Sequence, residues 1–184
     1  MDEYSYKGLI SKPIPMAYFP FSINNYNIMT LDLLETLQPD FQLWCLKREM
    51  NLLEVGEEVL YRPFSTLSGG EQTKILLALL FAKEERFLLI DEPTNHLDTH
   101  GREVVAKYLE SKKGFILVSH DREFINSIVD HILTIEKRKI VLQRGTYDTW
   151  EQNKNLEDQY ELEQNQKLRK EIRRLKQSAR DQED

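Results

Sequence analysis

Two short apolar runs, each followed closely by polar residues, place the strongest constraint on the fold of this chain. Phe87–Ile90 and Phe115–Val118 contain only apolar side chains, as is typical of strands that are buried in a parallel sheet. Pro93 prevents the first strand from continuing, and the sequence of Glu103–Leu109 favours a helix between the two runs. Strands that alternate with helices predict an α/β fold with a largely parallel sheet.

The spacing of apolar residues predicts the other elements of the chain. Ser68 stands three residues before Glu71, which is the spacing of a capping box at the start of a helix. That helix is apolar nearly all round, so we expect it to be buried and to end at about Lys83. The remaining predicted elements are a strand at Met16–Phe19, helices at 29–37, 41–55 and 122–130, and a hairpin of 131–135 and 139–142 across Lys137 and Arg138.

The composition of the chain changes after Gly145. The segment 151–184 contains no glycine or proline, and 17 of its 34 residues are charged. This segment is predicted to be a long solvated helix with a coiled-coil-like seam, formed by Leu168, Ile172, Leu175 and Ala179. We therefore divide the chain into a domain at 1–147, with a helical subdomain at about 25–66, and a helical linker segment at 148–184.

Composition narrows the class of protein. The net charge of −6 gives no overall basic signal, so any contact with nucleic acid must come from a local patch. Cys45 is the single cysteine, which excludes an internal disulfide and fits a reducing compartment. The longest strongly apolar run, Ile75–Ala82, is much shorter than the roughly 18 residues of a membrane-spanning helix. We expect a soluble cytoplasmic protein without a membrane partner.

A glycine turn precedes the predicted buried helix, in the sequence Leu67-Ser68-Gly69-Gly70-Glu71-Gln72. The two glycines leave backbone N–H groups unobstructed, and the helix dipole adds positive potential at this end. These properties predict an anion site that suits a γ-phosphate. A helix cap without a ligand is the alternative, and it would suffice for an isolated Ser-Gly-Gly-Glu.

An acidic pair follows the first apolar run. Asp91 ends the predicted strand, where α/β proteins place their ligands, and its carboxylate can hold hydrated Mg²⁺. Glu92 is one residue further on, so it projects differently and can act as a general base toward an attacking water. Two solvated carboxylates at a strand end are the alternative, which the longer sequence Asp91-Glu92-Pro93-Thr94-Asn95-His96-Leu97-Asp98 disfavours.

A histidine follows the second apolar run. His120 lies at the carboxyl end of that strand, where an imidazole can hydrogen-bond a γ-phosphate or the catalytic water. An isolated histidine is more often structural, but the Ser-His-Asp sequence after a buried strand favours a functional role. The other three histidines, which have no ligand-type spacing and receive no metal, are His96, His100 and His131.

The phosphate loop that would complete a nucleotide site is absent from the sequence. Its motif is G-x-x-x-x-G-K-[ST], and none of the seven glycines is followed by lysine.

The glycine turn, the acidic sequence and His120, in this order, resemble the signature motif, Walker B, D-loop and switch histidine of the ATP-binding-cassette superfamily. The pair Asn95-His96, with Gly145-Thr146-Tyr147 before a charged helix, is similar to the ABC-F family. ABC-F proteins are cytosolic, carry two cassettes joined by a helical linker and act on the ribosome. The stretch from Arg62 to Phe81 is most similar to the antibiotic-resistance branch. The resemblance covers nearly the whole chain, as a first cassette after its P-loop helix and the start of the linker.

The resemblance implies a partial P-loop NTPase-type cassette that uses ATP and Mg²⁺. It implies catalytic roles for Glu92 and His120 and a water-mediated contact between Asp91 and Mg²⁺. In the family each ATP lies between two cassettes, so the signature motif serves the nucleotide of the second cassette, which would come from a missing downstream part. The residues that the resemblance assigns to nucleotide binding are Ser68, Gly69, Gly70, Glu71 and Asp98.

The sequence departs from the family at two points. Without Walker A, no group of this chain cradles the α- and β-phosphates, so the chain alone is expected to be poorly active or inactive. Phe21 stands where the family has the glutamine of the Q-loop, and its side chain can neither coordinate Mg²⁺ nor orient water.

A basic run in the predicted linker is a candidate contact for ribosomal RNA. Clustered cations of this kind bind phosphates, although a solvated helix face is an equal alternative from the residues alone. The family resemblance favours RNA. The residues are Lys167, Arg169, Lys170, Arg173, Arg174 and Lys176.

Three other functions remain open. An ATP-binding subunit of an ABC transporter shares these motifs, although the charged helix after the cassette argues against it. A chromosome-type ABC ATPase also has a half without Walker A, but its coiled coil precedes the signature. The third is a non-catalytic interaction module from a truncated gene.

Overall fold

The structure is a computed structural model that describes residues 14–83, 86–136 and 139–180. The chain divides into two compact units, one that ends at Ile128 and one that begins at Val129. The predicted tip of the hairpin at Lys137 and Arg138 lies outside the described residues.

Three parallel strands form the sheet of the first unit, as the sequence predicts. They are β1 (Met16–Phe19), β2 (Phe87–Asp91) and β3 (Phe115–Val118), and their order in the sheet is β1-β2-β3. Both pairings are parallel, so the carboxyl ends of β2 and β3 lie at one edge of the sheet.

Helices occupy the segments between these strands, as predicted. Two short 3₁₀ turns at Glu57–Tyr61 and Phe64–Thr66 lead into the glycine turn. The α-helices of the first unit are α1 (Thr30–Leu37), α2 (Leu43–Leu52), α3 (Gly69–Phe81), α4 (Thr99–Glu110) and α5 (Arg122–Ile128).

The core of the first unit is built around α3. The sequence of this helix is apolar nearly all round, and Ile75–Leu80 is buried in the structure, which confirms the prediction. Helix α2 packs against α3 and contributes Leu46 and Met50, both fully buried. Phe81, at the end of α3, makes edge-to-face contact with the ring of Phe115 on β3. The buried helix therefore joins the helical layer to the sheet.

Within the described residues, only one face of the sheet is covered. The burial of β3 was predicted to be complete, and this prediction is wrong, because Ile116 and Val118 are 41% and 53% exposed. Met16 and Tyr18 of β1 are exposed as well. The physical reason is topological. The strands are adjacent in the same order as in the chain, and successive right-handed crossovers in one direction place all connecting helices on the same face.

The second unit consists of a hairpin and a long helix, both as predicted within the described residues. Strands β4 (His131–Glu136) and β5 (Lys139–Arg144) pair antiparallel, and α6 spans Tyr147–Arg180. An ion pair of 2.5 Å between Lys154 Nζ and Glu136 Oε2 ties the helix to the hairpin. The predicted domain boundary at 147 stays a prediction.

The predicted seam of α6 is exposed where the structure describes it. Leu168 and Ile172 are both about half exposed, whereas the side chains of Leu175 and Ala179 lie outside the described ones. Across the described ranges, no helix combines the length and the apolar character that crossing a membrane requires.

We expect the 184-residue chain to self-associate when it is made alone. Among the described residues, one apolar face of the sheet is exposed and the edge of β3 is unpaired, and both features favour contact with other chains. The double substitution Ile116→Arg and Val118→Arg should reduce the associated fraction in sedimentation velocity. The matched control is Leu52→Arg on α2, since Leu52 is 52% exposed but lies outside the sheet. A wild-type monomer with a sharp cooperative melt would contradict the prediction.

Candidate functional site

The glycine turn forms the predicted capping box at the start of α3. The backbone N–H of Glu71 donates to Ser68 Oγ at 3.2 Å, and the backbone N–H of Ser68 donates to Glu71 Oε2 at 2.7 Å. This second bond lowers the pKa of the Glu71 carboxyl. The first-turn amides of Gly69 and Gly70 have no partner within the helix, so the turn is suited to an anion that approaches along the helix axis.

The glycine turn lies directly against the segment that follows the acidic pair. A Cβ atom built on Gly69 would be 2.8 Å from the Cβ of His96, which is closer than two carbon atoms pack. His96 itself has a φ of +68°, in the left-handed region. Position 69 therefore needs glycine because the segment after β2 passes so close to it.

The acidic pair projects in two directions, as predicted. Asp91 ends β2, and its Oδ2 accepts a hydrogen bond of 2.9 Å from the Tyr18 hydroxyl on β1. This bond raises the pKa of Tyr18. Glu92 has a φ of +48°, and its backbone N–H donates to Val118 O at 2.8 Å. A non-glycine residue in this region costs about 1–3 kcal/mol, and such residues cluster at functional sites.

Glu92 and His120, the two predicted catalytic residues, are in contact. The Nδ1 atom of His120 lies 2.9 Å from Glu92 Oε2, and Ser119 Oγ is 3.5 Å from the same oxygen. The imidazole is largely exposed, while the Glu92 carboxylate is more sheltered. With its proton on Nδ1, the histidine orients the carboxylate and keeps Nε2 for a ligand.

Asp98, the remaining predicted nucleotide contact, has a structural partner. It is the N-cap of α4, and its Oδ1 accepts a hydrogen bond of 2.7 Å from the backbone N–H of Gly101. The structure therefore gives Asp98 a helix-capping role. Its part in nucleotide binding stays a prediction.

A cleft of about 410 Å³ borders both the glycine turn and the acidic pair. Phe21, at the expected Q-loop position, contributes an apolar wall to this cleft. The cleft is also lined by Gly69, Gln72, Asp91, Glu92 and His96. The structure thus brings the two motifs to one cavity. The sequence cannot show this proximity, because the motifs are separated along the chain.

The carboxylates fit Mg²⁺ only together with phosphate. In the part of the chain that the structure describes, no group of three or more histidine, cysteine or acidic side chains is arranged to hold a metal ion. Mg²⁺ is commonly bound by one or two carboxylates, waters and substrate phosphates. Asp91 offers one such oxygen at the cleft, so the donor set matches that mode.

Sequence reasoning missed Tyr18 and Ser119. Tyr18 reaches Asp91 because β1 and β2 are adjacent and both side chains point to the same face. The alternation within β1 could have identified the face but not the neighbouring strand. Ser119 touches Glu92 only through the pairing of β2 with β3.

The basic run lies on α6 in the second unit. Its described side chains, from Lys167 to Arg174, are exposed. The side chain of Lys176 lies outside the described ones. This arrangement leaves the cations accessible to a partner.

Comparison with known proteins shows which proteins the chain is similar to. Residues 20–95 match the family described as ABC transporter. The chain is 42% identical over 114 residues to the putative ATP-binding protein YdiF of Bacillus subtilis, a match that covers 61% of this chain and 17% of YdiF. It is 39% identical over 103 residues to ABC transporter F family member 3 of Arabidopsis thaliana, covering 55% of this chain and 14% of that protein. The chain spans about a fifth of the length of such relatives.

The fold agrees with the sequence match. The dimeric structure of MJ0796, a bacterial ABC transporter cassette, superimposes with a TM-score of 0.56 at 18% identity. This match covers 71% of the present chain and 62% of that cassette. The α/β fold is therefore that of ABC cassettes, and residues 20–95 are similar to the ABC transporter family.

Proposed function

We propose that this chain is part of an ABC-F ATPase whose intact form binds and hydrolyses ATP between paired cassettes and acts on the ribosome. The observation that carries the ATPase role is the contact of Glu92 with His120 beside the cleft that the glycine turn also borders. The similarity to an F family member supports the ABC-F assignment. A role in antibiotic resistance is the finest level of this proposal, and the residues from Arg62 to Phe81 support it.

The candidate site residues have separate tasks in this proposal. Asp91 would hold a Mg²⁺ ion, which would neutralise charge on the phosphates. Glu92 accepts a proton from the attacking water. His120 fixes the Glu92 carboxylate through Nδ1 and offers Nε2 to the γ-phosphate. Ser68, Gly69 and Gly70 present their N-terminal helix turn to the nucleotide of the second cassette.

The bare face of the sheet suits a phosphate-loop segment. Such a segment contains a strand that pairs with β3 and precedes β1 in the chain. The connection from that strand to β1 crosses the sheet in the direction opposite to the observed crossovers. This right-handed connection places a helix on the exposed face of Ile116 and Val118. Such a segment supplies the cradle for the α- and β-phosphates that the present sequence lacks.

Two further parts of the proposal concern the second unit. The segment 148–184 is the start of a linker between cassettes, and the cations from Lys167 to Lys176 contact ribosomal RNA.

We place the protein in the cytoplasm. The main competing function, a transporter subunit, predicts that the intact protein co-purifies with a membrane subunit.

We expect the 184-residue chain alone to be a poor ATPase. Phosphoryl transfer depends on positioning the phosphates and neutralising their charge, and the sequence has no phosphate loop for this purpose. Steady-state phosphate release from the pure chain should equal the blank. Release well above the blank that copurifies with the chain through two columns would disprove this expectation.

In the intact protein, Glu92→Gln should permit ATP binding but block hydrolysis at this site. The amide keeps the shape of the side chain but cannot accept the proton, and loss of a general base typically costs about 10²–10⁴-fold. Single-turnover cleavage measures the effect. Glu110→Gln, an exposed carboxylate at the end of α4, is the matched control. Near-normal cleavage by Glu92→Gln would remove this residue from the role.

Changing Lys170, Arg173 and Arg174 to Glu in the intact protein should weaken ribosome binding and flatten its salt dependence. Fewer counterions are released when fewer phosphates are contacted. ATP binding should be unchanged, because α6 holds no nucleotide group. Co-sedimentation with ribosomes across a salt series measures both effects.

A control with the same change in charge separates local contact from net charge. It carries glutamate at three exposed lysines outside α6, namely Lys107, Lys113 and Lys139. An equal loss of binding in both variants, or an unchanged salt slope in the first, would show that the basic run is a solvated helix face and not an RNA contact.

A further inference from the structure

A buried carboxylate outside the cleft has no part in the chemistry proposed above. Glu49 on α2 is 0% exposed, and it is the one ionisable side chain among the buried polar residues that the structure describes. Its Oε2 accepts a hydrogen bond of 2.7 Å from the Tyr108 hydroxyl on α4. The same oxygen pairs with Lys112, just beyond the end of α4. Arg48 donates to Oε1 at 2.8 Å.

Aromatic rings surround the cation that meets this carboxylate. Lys112 Nζ lies 4.6 Å from the centroid of the Tyr108 ring and 5.4 Å from that of Phe81, at the end of α3. Burial raises the pKa of Glu49, but the hydrogen bonds that it accepts outweigh this effect, so the carboxyl pKa is lowered. Three helices therefore meet at one ionised group.

A second polar contact joins the same pair of elements. Glu54, two residues after the end of α2, lies 2.8 Å from Nε2 of His100 in the first turn of α4. Glu49 contacts the last turn of α4 and Lys112, two residues beyond it, whereas Glu54 contacts the first turn. The contacts span the length of α4, so they define how α4 lies against α2.

Stability alone does not account for such a group. A buried ion pair is often no more stabilising than apolar residues of the same volume, whereas it fixes geometry because each charge must keep its partner. The two helices that Glu49 joins, α2 and α4, are both connected to the candidate site. Helix α2 packs on α3, which begins with the glycine turn, and α4 begins where the acidic segment ends.

We propose that Glu49 is a positioning residue that sets the glycine turn relative to the acidic segment through α2 and α4. The inference rests on the proposed function, since positioning matters only if both motifs serve nucleotide. Paired with Lys112 and Tyr108, the Glu49 carboxylate keeps α2 and α3 in one register against α4. Without it, α2 and α3 shift against α4 while the apolar core persists.

The test uses the 184-residue chain without nucleotide, carrying Ile116→Arg and Val118→Arg to reduce its self-association, and three variants of it: Glu49→Gln, Lys112→Met and the double substitution. Each single variant leaves one buried charge without its main partner, so its urea midpoint should fall. The double variant removes both charges and should recover most of the midpoint. Amide exchange at 69–72 and 92–98 should nevertheless be about tenfold faster in the double variant than in the parent chain.

The control is Glu35→Gln, an exposed carboxylate on α1, which should change neither the midpoint nor the exchange. Exchange in β4 and β5 should be unchanged in every variant. A double variant with a recovered midpoint and the exchange of the parent chain at 69–72 would overturn the proposal and leave Glu49 as a stabilising group only. Because no nucleotide is present, this outcome is independent of the Glu92→Gln result.

Discussion

The parallel pairing of β2 with β3 is the constraint on which the candidate site depends. It places Asp91 beside Val118 in the register of the sheet, so the residues that follow each strand come together at one edge. The Glu92 amide continues the pairing by donating to Val118 O. The left-handed φ of Glu92 then turns its carboxylate toward His120. Backbone hydrogen bonds thus bring together the two predicted catalytic residues, which lie 28 positions apart in sequence.

The second constraint is the close approach of Gly69 to His96. It holds the start of α3 against the segment after β2, and it makes one cleft out of two motifs. A side chain at position 69 would push these segments apart. The arrangement of Glu49, Tyr108 and Lys112 acts on the same two segments from the other side, at the far ends of α3 and α4. The site is therefore positioned both by a contact at the cleft and by helices behind it.

Sequence reasoning was reliable where the determining interactions are local. The capping box of Ser68 and Glu71 depends on residues three apart, and it was predicted with its partners. Apolar runs located β2 and β3 within a residue. Reasoning failed on the burial of β3, because strand order, and not the strand's own sequence, decides which faces are covered. Tyr18 was missed for the same reason, since its partner Asp91 lies 73 positions away.

The buried Glu49 shows why a polar residue inside an apolar pattern is hard to interpret from sequence. On α2, Glu49 lies among positions that face the core and are otherwise occupied by Leu46, Met50 and Leu53. Nothing local distinguishes it from a surface glutamate at the edge of a helix, because Lys112 lies 63 positions further on. Burial without that cation would leave an unpaired charge or force the carboxyl to take up a proton, and both cost stability. The observed register of α2 therefore depends on Tyr108 and Lys112 at the end of α4, which couples these two helices.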